Sequence, residues 1–113
     1  MRMKHLLQYT LAVGLCTGVL AAHAMVSTTP AHVTKFHIYT DYGEGDVVFR
    51  VDATVAGCDG FWLSPTDPGF RQTYAALLLV KATGATLEVT ADESRVWPGS
   101  SARYCRVDSL TSG

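Results

Sequence analysis

Cys58 and Cys105 constrain this chain more than any other pair of residues, and the reason lies at its start. The stretch "MRMKHLLQYTLAVGLCTGVLAAHA" opens with Arg2 and Lys4 and continues in an apolar run from Leu6 to Ala22, broken only by Gln8, Tyr9, Thr10 and Thr17. It ends on Ala22-His23-Ala24. A basic head, an apolar middle and small residues at both positions read by the peptidase make a secretory signal peptide over 1–24, cleaved after Ala24. A membrane anchor fits less well, because the apolar run is short for a span and carries a cleavable end. Cys16 could be the lipidated residue of a lipoprotein, but the bulky Leu15 before it does not suit such a site. The expected location is therefore secreted or periplasmic. Once the leader is gone only Cys58 and Cys105 remain, an even pair in an oxidising compartment, and a disulfide between them is expected.

That staple matters because the mature chain is small. Taking 24 residues from 113 leaves 89, one domain that buries about 60–65% of its unfolded surface and has a marginal core. Closing a loop of this length contributes about 4 kcal/mol in the chain-entropy picture. No metal site is expected, with no CxxC spacing and only His32 and His37 left in the mature chain. No cofactor is expected either. Removing Arg2 and Lys4 leaves 7 basic against 10 acidic residues, a net charge near −3. Nucleic-acid binders carry a basic face, so that class is disfavoured. No segment after the leader is long and apolar enough to span a membrane.

Residues 25–32, "MVSTTPAH", are polar and proline-broken and read as a flexible leader to a single domain over 33–113. "VTKFHIYT" then alternates, with Thr34, Phe36, Ile38 and Thr40 on one face and Val33, Lys35, His37 and Tyr39 on the other. "DYGEGD" is a hairpin loop. "DVVFRVDATVAG" sets Val47, Phe49, Val51, Ala53 and Val55 on a buried face, opposite a wet face of Val48, Arg50, Asp52 and Thr54. "FWL" is a short third strand. Asp67 is a natural N-cap and Pro68 suits the first helical position, so a helix is predicted from Pro68 to Thr83, stopped by Gly84. Phe70, Tyr74, Leu77, Leu78 and Lys81 share one helix face, and Ala75, Ala76, Leu79 and Val80 make the adjoining faces apolar, which predicts cover on more than one side. "ATLEVTA" turns Leu87 and Val89 inward. "DESRVWPGSSA" reads as a loop before the last strand "RYCRVDSL", where Tyr104, Arg106 and Asp108 face away from Arg103, Cys105 and Val107. The order β-β-β-α-β-β predicts a mostly β (α+β) domain: a small OB-like five-stranded barrel with the helix plugging one end and one disulfide. The alternative is an open α+β sheet with the helix across one face.

Few groups converge for catalysis. A Ser-His-Asp set would need His32 from the leader or His37 from a strand rim, and no serine sits in a GxSxG setting, so no catalytic residues are assigned and the chain reads as a non-enzyme. Asp41, Glu44 and Asp46 lack the spacing of a calcium loop and read as a solvated acidic turn, as do Asp92 and Glu93. Trp62 is expected to pack in or beside the core. The most suggestive surface is "ESRVWPGSSARY". There Trp97, in a Pro-Gly turn, is expected to present an exposed ring, with Arg95, Ser100, Ser101 and Arg103 supplying donors around it. A ring that stacks and polar groups that orient suit a glycan or a protein surface. The other outcome is that Trp97 folds back to cap the barrel end.

Over "FWLSPTDPGFRQTYAALLLVKATGATLEVTA", residues about 58–90, the chain resembles the B subunits of subtilase-type and pertussis-like AB5 toxins, with an aromatic segment before a helix that closes on a small residue plus Gly and runs into a strand. The resemblance implies a secreted OB fold, glycan binding and assembly into a pentameric ring, a homo-oligomer in which Ala75, Ala76, Leu79 and Val80 make subunit contacts. It carries over no site residue. The expected function is thus a non-enzymatic binding domain for a glycan or protein surface. The alternative is a cell-envelope structural or inhibitory protein that acts by protein–protein contact through the helix flank.

Overall fold

The computed structural model describes residues 24–112. The signal-peptide reading of 1–24, Cys16 included, lies outside the described residues except for Ala24. The elements run β1 (Met25–Ser27), β2 (Val33–Ile38), β3 (Val47–Val51), β4 (Gly60–Leu63), α1 (Phe70–Thr83), β5 (Glu88–Val96) and β6 (Tyr104–Thr111). They form one open six-stranded mixed sheet in the order β1-β5-β6-β4-β3-β2, in which β4 and β6 pair in parallel and every other pair is antiparallel. Among the described residues the domain is mostly β with one helix, as expected, but the five-stranded closed barrel is not formed. Closure would need the outermost strands to meet, and β1 and β2 lie at opposite edges.

The sixth strand comes from the segment read as a flexible leader. Met25, Val26 and Ser27 pair with Asp92, Ala91 and Thr90, and the Thr28 hydroxyl accepts the Val89 N–H at 3.0 Å. Ala31 exchanges backbone bonds with Leu87. Three residues are too few to show alternation, and the partner strand lies more than sixty residues away, so local sequence carries little sign of this pairing.

Register divides the sheet into two faces. Phe36, Phe49, Phe61 and Cys105 stand in line across β2, β3, β4 and β6, beside Ile38, Val47 and Leu63. Against this face lies α1, which buries Leu77 and Val80. Its Tyr74 ring lies 6.1 Å from Phe36 and stacks on Phe70. A bulge at Thr34 shifts the β2 register, so Val33, expected beside Lys35, joins the core opposite Val51. The helix is covered on one side only: Leu78 and Leu79 are 43% and 64% exposed, while Val80 is core, so the expected four-residue contact flank is split. It ends at Gly84 in the left-handed conformation, as read, but begins at Phe70, with no side-chain cap. The Asp67 carboxylate is instead committed to the Ser64 N–H and to the Arg106 guanidinium. Arg106 also lies 4.4 Å over the Trp62 ring, which places Trp62 half-buried on the opposite sheet face.

Cys58 and Cys105 form the expected disulfide, which ties the turn before β4 to the buried start of β6. Strand β3 ends at Val51, and residues 52–59 turn back instead of continuing to Val55. Asp52 at this turn accepts the His32 backbone N–H at 2.7 Å and meets the His32 ring Nδ1 at 3.0 Å. The backbone bond first, then the ring bond, holds the Asp52 carboxyl below its ordinary value of 3.8. A carboxylate depressed in the folded state stabilises the fold above its unfolded pKa and loses that contribution as pH falls through the folded one. Asp52→Asn should therefore lower the urea midpoint at pH 7, only slightly because the pair is solvent-exposed and screened, and the gap should close well below pH 4 as the Asp52 carboxyl is protonated. A gap that widens in acid would overturn the assignment.

Candidate anion-recognition face

The face without the helix is built from the second parity of the same strands. Register aligns Lys35 with Arg50, and His37 with Val48, Trp62 and Arg106. Tyr104 lies beside Gly60, where a side chain would meet the Tyr104 ring at 2.6 Å, so only glycine lets that ring lie across β4. The Tyr104 hydroxyl accepts from Arg50 Nε at 3.1 Å and Nη2 at 3.0 Å, which fixes the guanidinium while Nη1 takes no part in those bonds. The His37 and Tyr39 rings stack at 4.1 Å. Lys35, His37, Tyr39, Arg50 and Tyr104, together with Trp97 and Ser100, line a pocket of about 140 Å³. A water occupies about 30 Å³ of liquid, so the space suits a carboxylate or the edge of a sugar ring rather than a drug-sized molecule.

Trp97 is 2% exposed and closes one end of this pocket. The expected exposed stacking plane is corrected: the turn proper is Pro98-Gly99, and Trp97 stands one residue before it, folded inward. Its Nε1 donates to Asp46 at 3.0 Å, and its ring meets Tyr39 and Tyr42 at 5.2 Å and Tyr104 edge-on at 5.9 Å. Gly99 lies so close that a side chain there would fall 2.4 Å from the indole. Asp46 is accordingly buried, whereas Asp41 and Glu44 stay exposed as expected of an acidic turn. Asp92 is also buried, on β5, and is not part of a solvated loop.

Of the other residues expected around Trp97, the structure brings only Ser100 to the pocket, with its hydroxyl accepting the Ala102 N–H. Arg95 is exposed on β5, and its carbonyl accepts from Trp62 Nε1. Ser101 is exposed outside the pocket lining. Arg103 spends its guanidinium on the Gly57 and Glu93 carbonyls, a structural tie between loop and strand. Lys35, His37, Tyr39, Arg50 and Tyr104 were missed as site residues. The signal for the first four was present in the β2 and β3 alternation, but which face the helix leaves open was not.

The pocket's electrostatics are one-sided. Lys35 and Arg50 line it, no Asp or Glu does, and the nearby Asp46 carboxylate is turned to the indole N–H behind the Trp97 ring. Lys35 has no carboxylate partner among the described residues. Low-dielectric aromatic walls strengthen the attraction of such cations for an anion. No family model, curated protein or solved structure matches this chain. The disulfide, together with the finding that no described helix is long and apolar enough to cross a membrane, is compatible with an extracellular or periplasmic protein.

Proposed function

We propose that this chain is an exported, non-enzymatic recognition module whose open sheet face binds an anionic group carried by a glycan or a protein surface. One observation carries the reading: a chain with a negative net charge sets Lys35 and Arg50 among the rings of His37, Tyr39, Trp97 and Tyr104 around one pocket and keeps every carboxylate out of its lining. The rings supply flat apolar contact, and Arg50, held by Tyr104, offers a pre-oriented donor that loses little freedom on binding. Ser100 adds a hydroxyl at the rim.

Glucuronate, with glucose as its neutral match, tests this by NMR titration of the purified, disulfide-bonded protein. Glucuronate should shift the Tyr39 and Tyr104 ring signals with a Kd of order 1 mM, and added salt should weaken it. Arg50→Gln should weaken binding about tenfold, the scale of one charge-assisted contact. Equal responses to glucose and glucuronate, or an unaffected Arg50→Gln variant with native melting, would remove the basis for the reading.

A further inference from the structure

Strand β2 ends the sheet, and among the described residues its outer edge has no strand beside it. The Tyr39 N–H donates inward to the Asp46 carbonyl. Antiparallel pairing alternates, so His37 and Lys35 also turn their backbone groups toward β3, whereas Phe36 and Ile38 turn theirs outward. The two sides of this edge differ in chemistry. On the helix side lie Phe36, the Tyr74 ring against it, Ile38 at 49% exposure and Leu78 at 43%, the last one helical turn beyond Tyr74 and on the same side. On the open side lie Lys35 and His37, which lead into the pocket and Arg50.

We infer that the β2 edge is a strand-acceptor site for an extended segment of another protein that alternates apolar and acidic residues. Such a segment would pair its backbone with Phe36 and Ile38, set its apolar side chains against Ile38 and Leu78, and aim its carboxylates at Lys35 and the pocket. Charge complementarity selects this occupant over a second copy of the chain. Pairing β2 with its own image would set Lys35 and His37 of each copy on the same face of the joint, the arrangement by which edge lysines oppose self-association. The inference rests on the reading of the pocket as an anion site and names the partner that supplies the anion.

The probe is a blocked hexapeptide alternating valine and glutamate, matched to the six residues of β2, with a valine–lysine peptide as control. Binding should slow hydrogen exchange at the Phe36 and Ile38 amides, and the glutamate peptide should bind at least about tenfold more tightly than the lysine peptide. Methylating alternate peptide nitrogens should abolish binding. Ile38→Pro, which removes an outward N–H on an edge strand where proline is tolerated, should lose the peptide and keep the glucuronate response. Should that variant fold poorly, Lys35→Glu on the exposed strand surface should invert the preference toward the lysine peptide. A peptide that shifts Tyr39 and Tyr104 while leaving Phe36 and Ile38 exchange unchanged would overturn the strand site and leave the pocket standing. Loss of both responses would overturn both.

Discussion

Replacing Trp97 by Ala is expected to destabilise the domain by about 3–5 kcal/mol, a large share of the roughly 5–15 kcal/mol that such a domain has in total. The indole is 2% exposed and is held by Tyr39, Tyr42 and Tyr104, so truncation opens a cavity that a ring cage cannot readily collapse. It also takes from the buried Asp46 the N–H that now reaches it at 3.0 Å. Trp97→Phe separates the two contributions. It keeps most of the ring volume and loses the donor, and should cost about 1–3 kcal/mol. Urea unfolding of the two variants provides the check, and a loss under about 1 kcal/mol for Trp97→Ala would show that the cage does not hold the loop. Any loss of ligand binding in Trp97→Ala then reports unfolding as much as contact. Arg50 and Lys35, placed at the pocket without bearing the core, are the sounder probes of recognition.

The same residue shows where local sequence stops being informative. Pro98 and Gly99 announce a turn, and the turn is there, exposed. What decides Trp97 is the β2–β3 loop some fifty positions earlier, which supplies Tyr39, Tyr42 and the Asp46 carboxylate. Contacts over such separations leave no periodic trace. Where the pairing is local, the reading held. Alternation placed Phe36 and Ile38 opposite Lys35 and His37, and Val47 and Phe49 opposite Val48 and Arg50, with a glycine-containing loop joining the strands. Even so, Val48 is buried, because the supposedly wet face of β3 carries its own cover of rings and pocket walls. The expected barrel does not close: β2 stays at one edge of the sheet, and β1, from the segment read as a leader, adds an unforeseen strand at the other. The Thr34 bulge changes the inward set of β2, and β1 is too short to register as a strand before its partner is known. Asp67 misled for a third reason: a carboxylate before Pro-Gly is a good helix cap until a more demanding partner, Arg106, reaches it from β6.

Removing the disulfide, by reduction or by Cys58→Ala with Cys105→Ala, is expected to cost about 4 kcal/mol, and to do so unevenly across the sheet. The bond spans a sequence separation of 47, long enough for its effect on the unfolded chain to be large. Its place in the sheet gives the loss a direction. Strands β2, β3 and β4 form one antiparallel set and β1, β5 and β6 another. Trp97–Asp46 and Arg50–Tyr104 are side-chain ties across, and among the described residues the two sets share strand pairing only along the parallel β4–β6 pair. No hairpin joins that pair, because α1 and β5 intervene. The disulfide fastens the head of β4 to the head of β6, beside the reciprocal Asp59–Arg103 backbone and side-chain bonds. Farther along the seam the Arg106–Asp67 pair and the Arg106–Trp62 stack take over. Hydrogen exchange in the reduced protein should therefore quicken first at Phe61, Trp62 and Cys105, while the β2–β3 ladder keeps its protection until global unfolding. Uniform quickening in both halves would mean that the seam is no weaker than the hairpins. Selective loss at β4 and β6 would identify this single covalent link as what makes two three-stranded halves behave as one sheet, the kind of staple a domain this small needs.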